Sequence, residues 1–140
     1  MSTEENKDIV RRFFKEGPSK GDLDAANKLL APNFTLHVPL PCSPGIQGIN
    51  DVILACRAAF EDLNVTVEDM VAEGDTVAVR FTAHGTHNGA FMGLPPTGKP
   101  IAMTGMEIFR IENGRIAELW GEANLLGLMQ QLGILPPLGR

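Results

Sequence analysis

The chain has 140 residues and a formal net charge of −5, a length that suits one domain with its own hydrophobic core. The acidic balance and the lack of any Lys/Arg cluster argue against nucleic acid or an anionic membrane surface as partner. No apolar run approaches the roughly 20 residues that cross a bilayer, so the expected location is cytoplasmic.

Ser2 and Glu5 form a capping-box pattern, and Ile9, Val10, Phe13 and Phe14 then share one helical face until Gly17-Pro18, which should end the helix. A second short helix is expected from Asp22, with Leu23, Ala26, Leu29 and Leu30 buried and Ala31-Pro32 as its stop. Phe34 to Val38 reads as a short strand. Three prolines then mark an irregular loop at Val38–Gly48, and a third helix is predicted over Asn50–Phe60, with Val52, Ile53, Cys56, Ala59 and Phe60 on one side. Cys42 and Cys56 have neither CxxC spacing nor a His cluster, so neither a structural metal nor a disulfide framework is expected.

From Leu63 the period changes to two. Leu63, Val65, Val67 and Val71 alternate with polar residues, Glu73-Gly74-Asp75 turns the chain, and Val77, Val79, Phe81 and Ala83 alternate again. Asn88–Lys99 is rich in Gly and Pro and reads as a long connection. Two further strands flank Asn113-Gly114, a pair that tolerates the positive φ angles of a type I′ hairpin turn. A terminal helix should follow, capped by Asn124, with Leu125, Leu128, Met129 and Leu132 recurring at helical spacing and Gly133 at its end. Helices, then strands, then one helix describe an α+β fold in which a curved mixed or antiparallel sheet wraps the N-terminal helices around a cone-shaped pocket.

Glu107 is the residue that carries chemistry. Ile101, Met103, Phe109 and Ile111 point the same way on its strand, so a carboxylate stands in an apolar row with Gly105 beside it. Such a carboxylate should have a raised pKa and could move protons; the alternative is an ion pair with a buried Arg or His. His37 could line the pocket mouth as a proton partner, or be a hydrogen-bonded edge residue. On the opposite face, Ala102, Thr104, Met106 and Ile108 make the same strand apolar on both sides, which predicts a homodimer through the sheet's outer face. No nucleophilic triad and no GxSxG motif is present.

The order GTHNGAFMGLPPTGK, IFRIENGRIAELW, LLGLMQQLG resembles the SnoaL-like polyketide cyclases, or ester cyclases, of the nuclear transport factor 2-like superfamily. The resemblance implies a cone-shaped α+β barrel, usually dimeric, without a cofactor, that binds an apolar carbonyl compound and closes a ring by intramolecular aldol condensation. It also implies Glu107 and His37 as catalytic candidates, and Met103, Phe109, Leu119, Gly121, His87 and Asn124 as substrate-binding candidates. One departure stands out. Where the family often has His-Trp-Asp or His-Arg-Asp near the end of its last strand, with Asp as the acid/base, this chain has Leu119-Trp120-Gly121. The resemblance therefore leaves three readings open: a cyclase working through Glu107, a cofactor-free hydroxylase, or a non-catalytic ligand-binding or dimerisation module. The superfamily's steroid isomerases use a Tyr hydroxyl, and this chain has no Tyr.

Overall fold

The computed structural model describes residues 2–136. Helix α1 (Thr3–Phe14) starts as the capping pattern predicts: the Ser2 hydroxyl accepts the Glu5 N–H and the Glu5 carboxylate accepts the Ser2 N–H, both at 3.1 Å. Its end differs from expectation. Gly17-Pro18 widens the helix into a π-helical turn over Lys15–Ser19 instead of stopping it. Pro18 has no N–H to give a four-residue hydrogen bond, and the ladder resumes at five-residue spacing, with the Lys20 N–H donating to the Lys15 carbonyl at 3.1 Å.

Asp22 caps α2 (Leu23–Asn27) through the Ala25 N–H. This helix is shorter than expected, because Leu30 and Ala31-Pro32 already belong to strand β1 (Leu30–His37). An edge strand tolerates proline, and the pairing register breaks between Leu30 and Thr35, where Pro32 lies. Helix α3 (Gly45–Ala59) begins five residues before the predicted Asn50, so Gly45–Gly48 are helical and the proline-rich loop is shorter. The strands β2 (Asn64–Glu73), β3 (Thr76–Thr86), β4 (Pro100–Glu112) and β5 (Arg115–Ala123) follow, and α4 (Leu125–Gln131) closes the described chain. Asn113 and Gly114 have φ 53° and 76°, the positive pair that a type I′ turn needs.

The five strands form one mixed sheet in the order β1-β5-β4-β3-β2, with β1 parallel to β5 and the other pairs antiparallel. The α+β class is as expected, but the sheet is open: among the described residues no pairing joins its edges β1 and β2 into a barrel. Val71 is a second correction. Val67 pairs with Phe81 and Asp69 with Arg80, so one extra residue in β2 reverses the alternation; Met70 and Ala72 then pack on the core while Val71 is 67 % exposed.

The interior consists of two packed clusters. The first joins α1 to the sheet through Phe13, Phe14 and Phe109, whose ring centroids lie 5.7–6.0 Å apart. The second joins the end of α3 and α4 through Phe60, Phe91, Ile101, Leu128 and Leu132. Each such aromatic burial stabilises the fold by roughly 1.5–3 kcal/mol.

Gly48 fixes how the loop before α3 returns to the helix, because a Cβ there would overlap the backbone oxygen of Ser43. Ala normally gains about 1 kcal/mol over Gly inside a helix. Here the clash outweighs that gain, so Gly48→Ala should lower stability by about 1–3 kcal/mol in urea denaturation.

Candidate functional site

A cavity lies between the two clusters, bordered by Phe14 and Phe81 from the first and by Phe60, Phe91 and Leu128 from the second. Its volume is about 130 Å³; a single water needs only about 10–15 Å³, so the space admits a small organic molecule. Four segments close it that periodicity did not identify as cavity wall: Pro18 on the π-helical turn, Val38–Leu40 after β1, the Ile49–Cys56 face of α3, and Phe91 in the long connection. For α3 the signal was present, since Ile53, Cys56 and Phe60 already share one helical face.

Two carboxylates border the cavity, Glu107 and the solvent-exposed Glu122, and Glu107 is the more buried of the two. Its inner-face neighbours are Val79 on β3 and Gly121 on β5, each directly opposite it in the pairing. The register that brings Gly121 there depends on a bulge. The tight turn pairs Glu112 with Arg115 and Ile111 with Ile116; continued unbroken, that pairing would set Trp120 against Glu107. One extra residue between Ile116 and Glu118 shifts the register, so Trp120 pairs with Ile108 on the outer face and Gly121 comes inside.

Glu107 is half-buried, and its carboxyl, which borders the cavity, has no hydrogen-bond or ion-pair partner among the described residues. The expected alternative of a buried Arg or His partner is therefore not found. Burial disfavours the charged form and pushes the carboxyl up to about 8. Cys56, on the α3 wall, is pushed up to about 11, first by burial and second by the charge of Glu107. A thiol in that state is neutral and unreactive at physiological pH.

Of the other sequence candidates, Met103 and Gly121 border the cavity. The rest do not. Phe109 and Leu119 are fully buried in the first cluster. Asn124 caps α4 by accepting the Gly127 N–H at 2.9 Å. His87, fully buried, accepts the Thr97 N–H on Nδ1 at 3.2 Å and so ties down the long connection, with its proton on Nε2. His37 is not a proton partner at the pocket mouth and takes the other expected role, a hydrogen-bonded residue on edge strand β1. It lies outside, 2.7 Å from a Glu118 oxygen and stacked on Trp120 with ring centroids 5.3 Å apart. Its hydrogen bond, ahead of the Arg110 interaction, holds the Glu118 carboxyl below its usual range. Phe34, Leu36 and Val38 alternate with Thr35 and His37, and that alternation was the signal for His37 facing outward.

Among the described residues no three His, Cys, Asp or Glu converge as a metal site, and no helix is long and apolar enough to cross a membrane. The family model of the SnoaL-like polyketide cyclases matches residues 8–132. The chain belongs to that family. TsrD from Streptomyces laurentii is 32 % identical over 96 % of this chain and 99 % of its own, with a TM-score of 0.86. IdmH from Streptomyces antibioticus, a candidate polyketide cyclase, is 35 % identical over 91 % of this chain and 98 % of its own, with a TM-score of 0.82. AclR from Streptomyces galilaeus, a candidate hydroxylase, is 28 % identical over 99 % of this chain and 87 % of its own, with a TM-score of 0.88. No curated protein matches the sequence significantly.

In this SnoaL-like fold the Glu107 carboxyl makes stability pH-dependent. An unfolded chain releases the Glu107 proton near 4.5, whereas the folded one holds it to about 8. Stability should therefore fall as pH rises between those values and level off above them. Glu107→Gln should remove that fall, and at pH 8.5 the variant should be more stable than wild type by on the order of a few kcal/mol; urea midpoints at pH 5 and pH 8.5 for both proteins check this.

Proposed function

We propose that the chain is a cofactor-free acid/base enzyme that binds a neutral, apolar carbonyl compound of polyketide type and closes a ring in it by intramolecular aldol addition. The observation that carries this reading is the unpartnered Glu107 carboxyl in a largely apolar cavity, with a pKa near 8. In the first step the Glu107 carboxylate takes a proton from carbon between two carbonyls of the substrate. The resulting enolate carbon bonds to the carbon of a third carbonyl, farther along the same molecule, whose oxygen becomes an alkoxide. Glu107 returns its proton to that alkoxide, and the enzyme ends as it began. No atom is lost and no redox partner is needed, which is why the reading asks for no cofactor. A carboxyl with a pKa near the working pH suits both halves of this exchange.

A binding role without turnover is the second reading, favoured by glycine at 121, where the resemblance to the family implies an Asp. The rate separates the two. With a polyketide β-keto ester as substrate, kcat/KM should rise about tenfold per pH unit below 8 and level off above it, because the first step needs the carboxylate. Glu107→Gln should lower kcat by at least about 100-fold while leaving ligand affinity near wild type. Tight binding with no turnover by wild type at any pH would establish the binder instead.

The same reading extends to a homodimer. His37, Trp120, Ile108, Ala78 and Val71 are successive cross-strand partners along one row of the outer face, with Met106 on the adjacent position, and the large members are exposed. Water contact with so much apolar surface favours association. Light scattering at micromolar concentration should give twice the 15.1 kDa chain mass, and Ile108→Lys should give the single mass.

A further inference from the structure

Gly121 is in a strand interior, where glycine adds no packing and weakens the strand. Nothing in its backbone asks for glycine, because its φ is not among the positive values. Space does. A Cβ on residue 121 would stand 2.9 Å from Oε2 of Glu107, 3.4 Å from its Cγ and 3.3 Å from a methyl of Val38. Val38 belongs to the segment that closes the cavity beside β5. Any side chain at 121 would thus compete with the Glu107 carboxyl for the same place. Gly105, on the other side of Glu107 along β4, is held as glycine by a different neighbour, the Phe81 ring.

We infer that Gly121 is a positioning residue for Glu107: the gap left by its missing side chain seats the Glu107 carboxyl against β5, at the cavity wall, and keeps the cavity itself open for the ligand. This rests on Glu107 being the working acid/base. In the seated position the carboxyl presents its proton to the cavity from the wall. Displaced from the gap, it would enter the ligand space, with its proton carried away from the position that a bound carbonyl meets. Glycine at 121 and glutamate at 107 are then one device, with the side chain supplied by β4 and the space by β5.

The experiment follows the Glu107 carboxyl directly, by carbon NMR of protein labelled at the glutamate side-chain carboxyl and titrated without ligand, Glu107→Gln identifying its signal. Gly121→Ala should move the Glu107 midpoint by about one pH unit or more. Gly121→Ala with Glu107→Asp, whose shorter side chain draws its oxygens back from residue 121, should titrate as Glu107→Asp alone does. An unchanged midpoint in folded Gly121→Ala would overturn the inference. Should Gly121→Ala fold too poorly to titrate, thermal unfolding of Glu107→Ala beside Glu107→Ala/Gly121→Ala decides: equal Tm values support a clash specific to Glu107, and a matching loss of Tm in the double variant overturns it. The titration needs no substrate. A shifted midpoint alongside an inactive wild type would uphold the seating and remove only the catalytic reading, whereas in an active wild type Gly121→Ala should lower kcat with little change in KM and move the pH profile of kcat/KM with the NMR midpoint.

Discussion

A carboxyl buried without a partner is among the more expensive things a small protein can hold, and Glu107 stands in that state in a largely apolar wall. The chain limits the penalty by keeping the proton on, which is what a value near 8 means. The remaining cost is offset by packing close at hand, where Phe13, Phe14 and Phe109 interlock beside the cavity and Phe81 stacks over Gly105. The cavity is therefore not a flaw between two clusters. The two clusters share Val65 at their border, and the space between them holds the acid without breaking into either one.

Holding the acid in place is a problem of register. Side chains alternate across a strand, so a slip of one residue in β4 would turn Glu107 to the outer face and Ile108 to the inner. Two local features fix the pairing. Asn113-Gly114 sets its start by allowing only a two-residue turn, and the bulge before Glu118 resets it so that a glycine rather than Trp120 meets Glu107. The same bulge delivers Trp120 to the outer face, where it stacks on His37. One extra residue thus builds the cavity wall and the outer apolar row together.

These features also mark where the sequence could be read and where it could not. Glu107 was legible because β4 is regular: thirteen residues without a bulge let simple alternation place every side chain. The capping box at Ser2, the Asn124 cap and the hairpin turn were legible because each is decided by residues three or four positions apart. The bulges in β2 and β5 were not, since an extra residue is set by the partner strand and leaves no local mark, so Val71 came out on the wrong face. The π-helical turn and the early start of α3 escaped for a related reason. Proline and glycine signal that regular hydrogen bonding changes, but whether the chain stops, widens or begins a helix is decided by what it packs against, here the cavity itself. The open sheet likewise depends on how its two edges meet, which no single strand encodes.

The departure at Gly121 takes on a different meaning in this geometry. Residues 107 and 121 are direct cross-strand partners, and the volume between their strands has room for one carboxyl. A carboxyl at both positions would bring two acids within a few ångströms, and such a pair cannot both ionise without strong mutual repulsion. One would stay protonated, and the pair would titrate as a unit rather than as a single tuned acid. An acid on β5 with no carboxyl opposite it on β4, and an acid on β4 with glycine on β5, are two solutions that avoid this coupling, each placing one carboxyl at this pair of positions. Under the resemblance the family's usual Asp belongs to the first solution. This chain has the second, with its one carboxyl at 107 and glycine directly opposite it at 121.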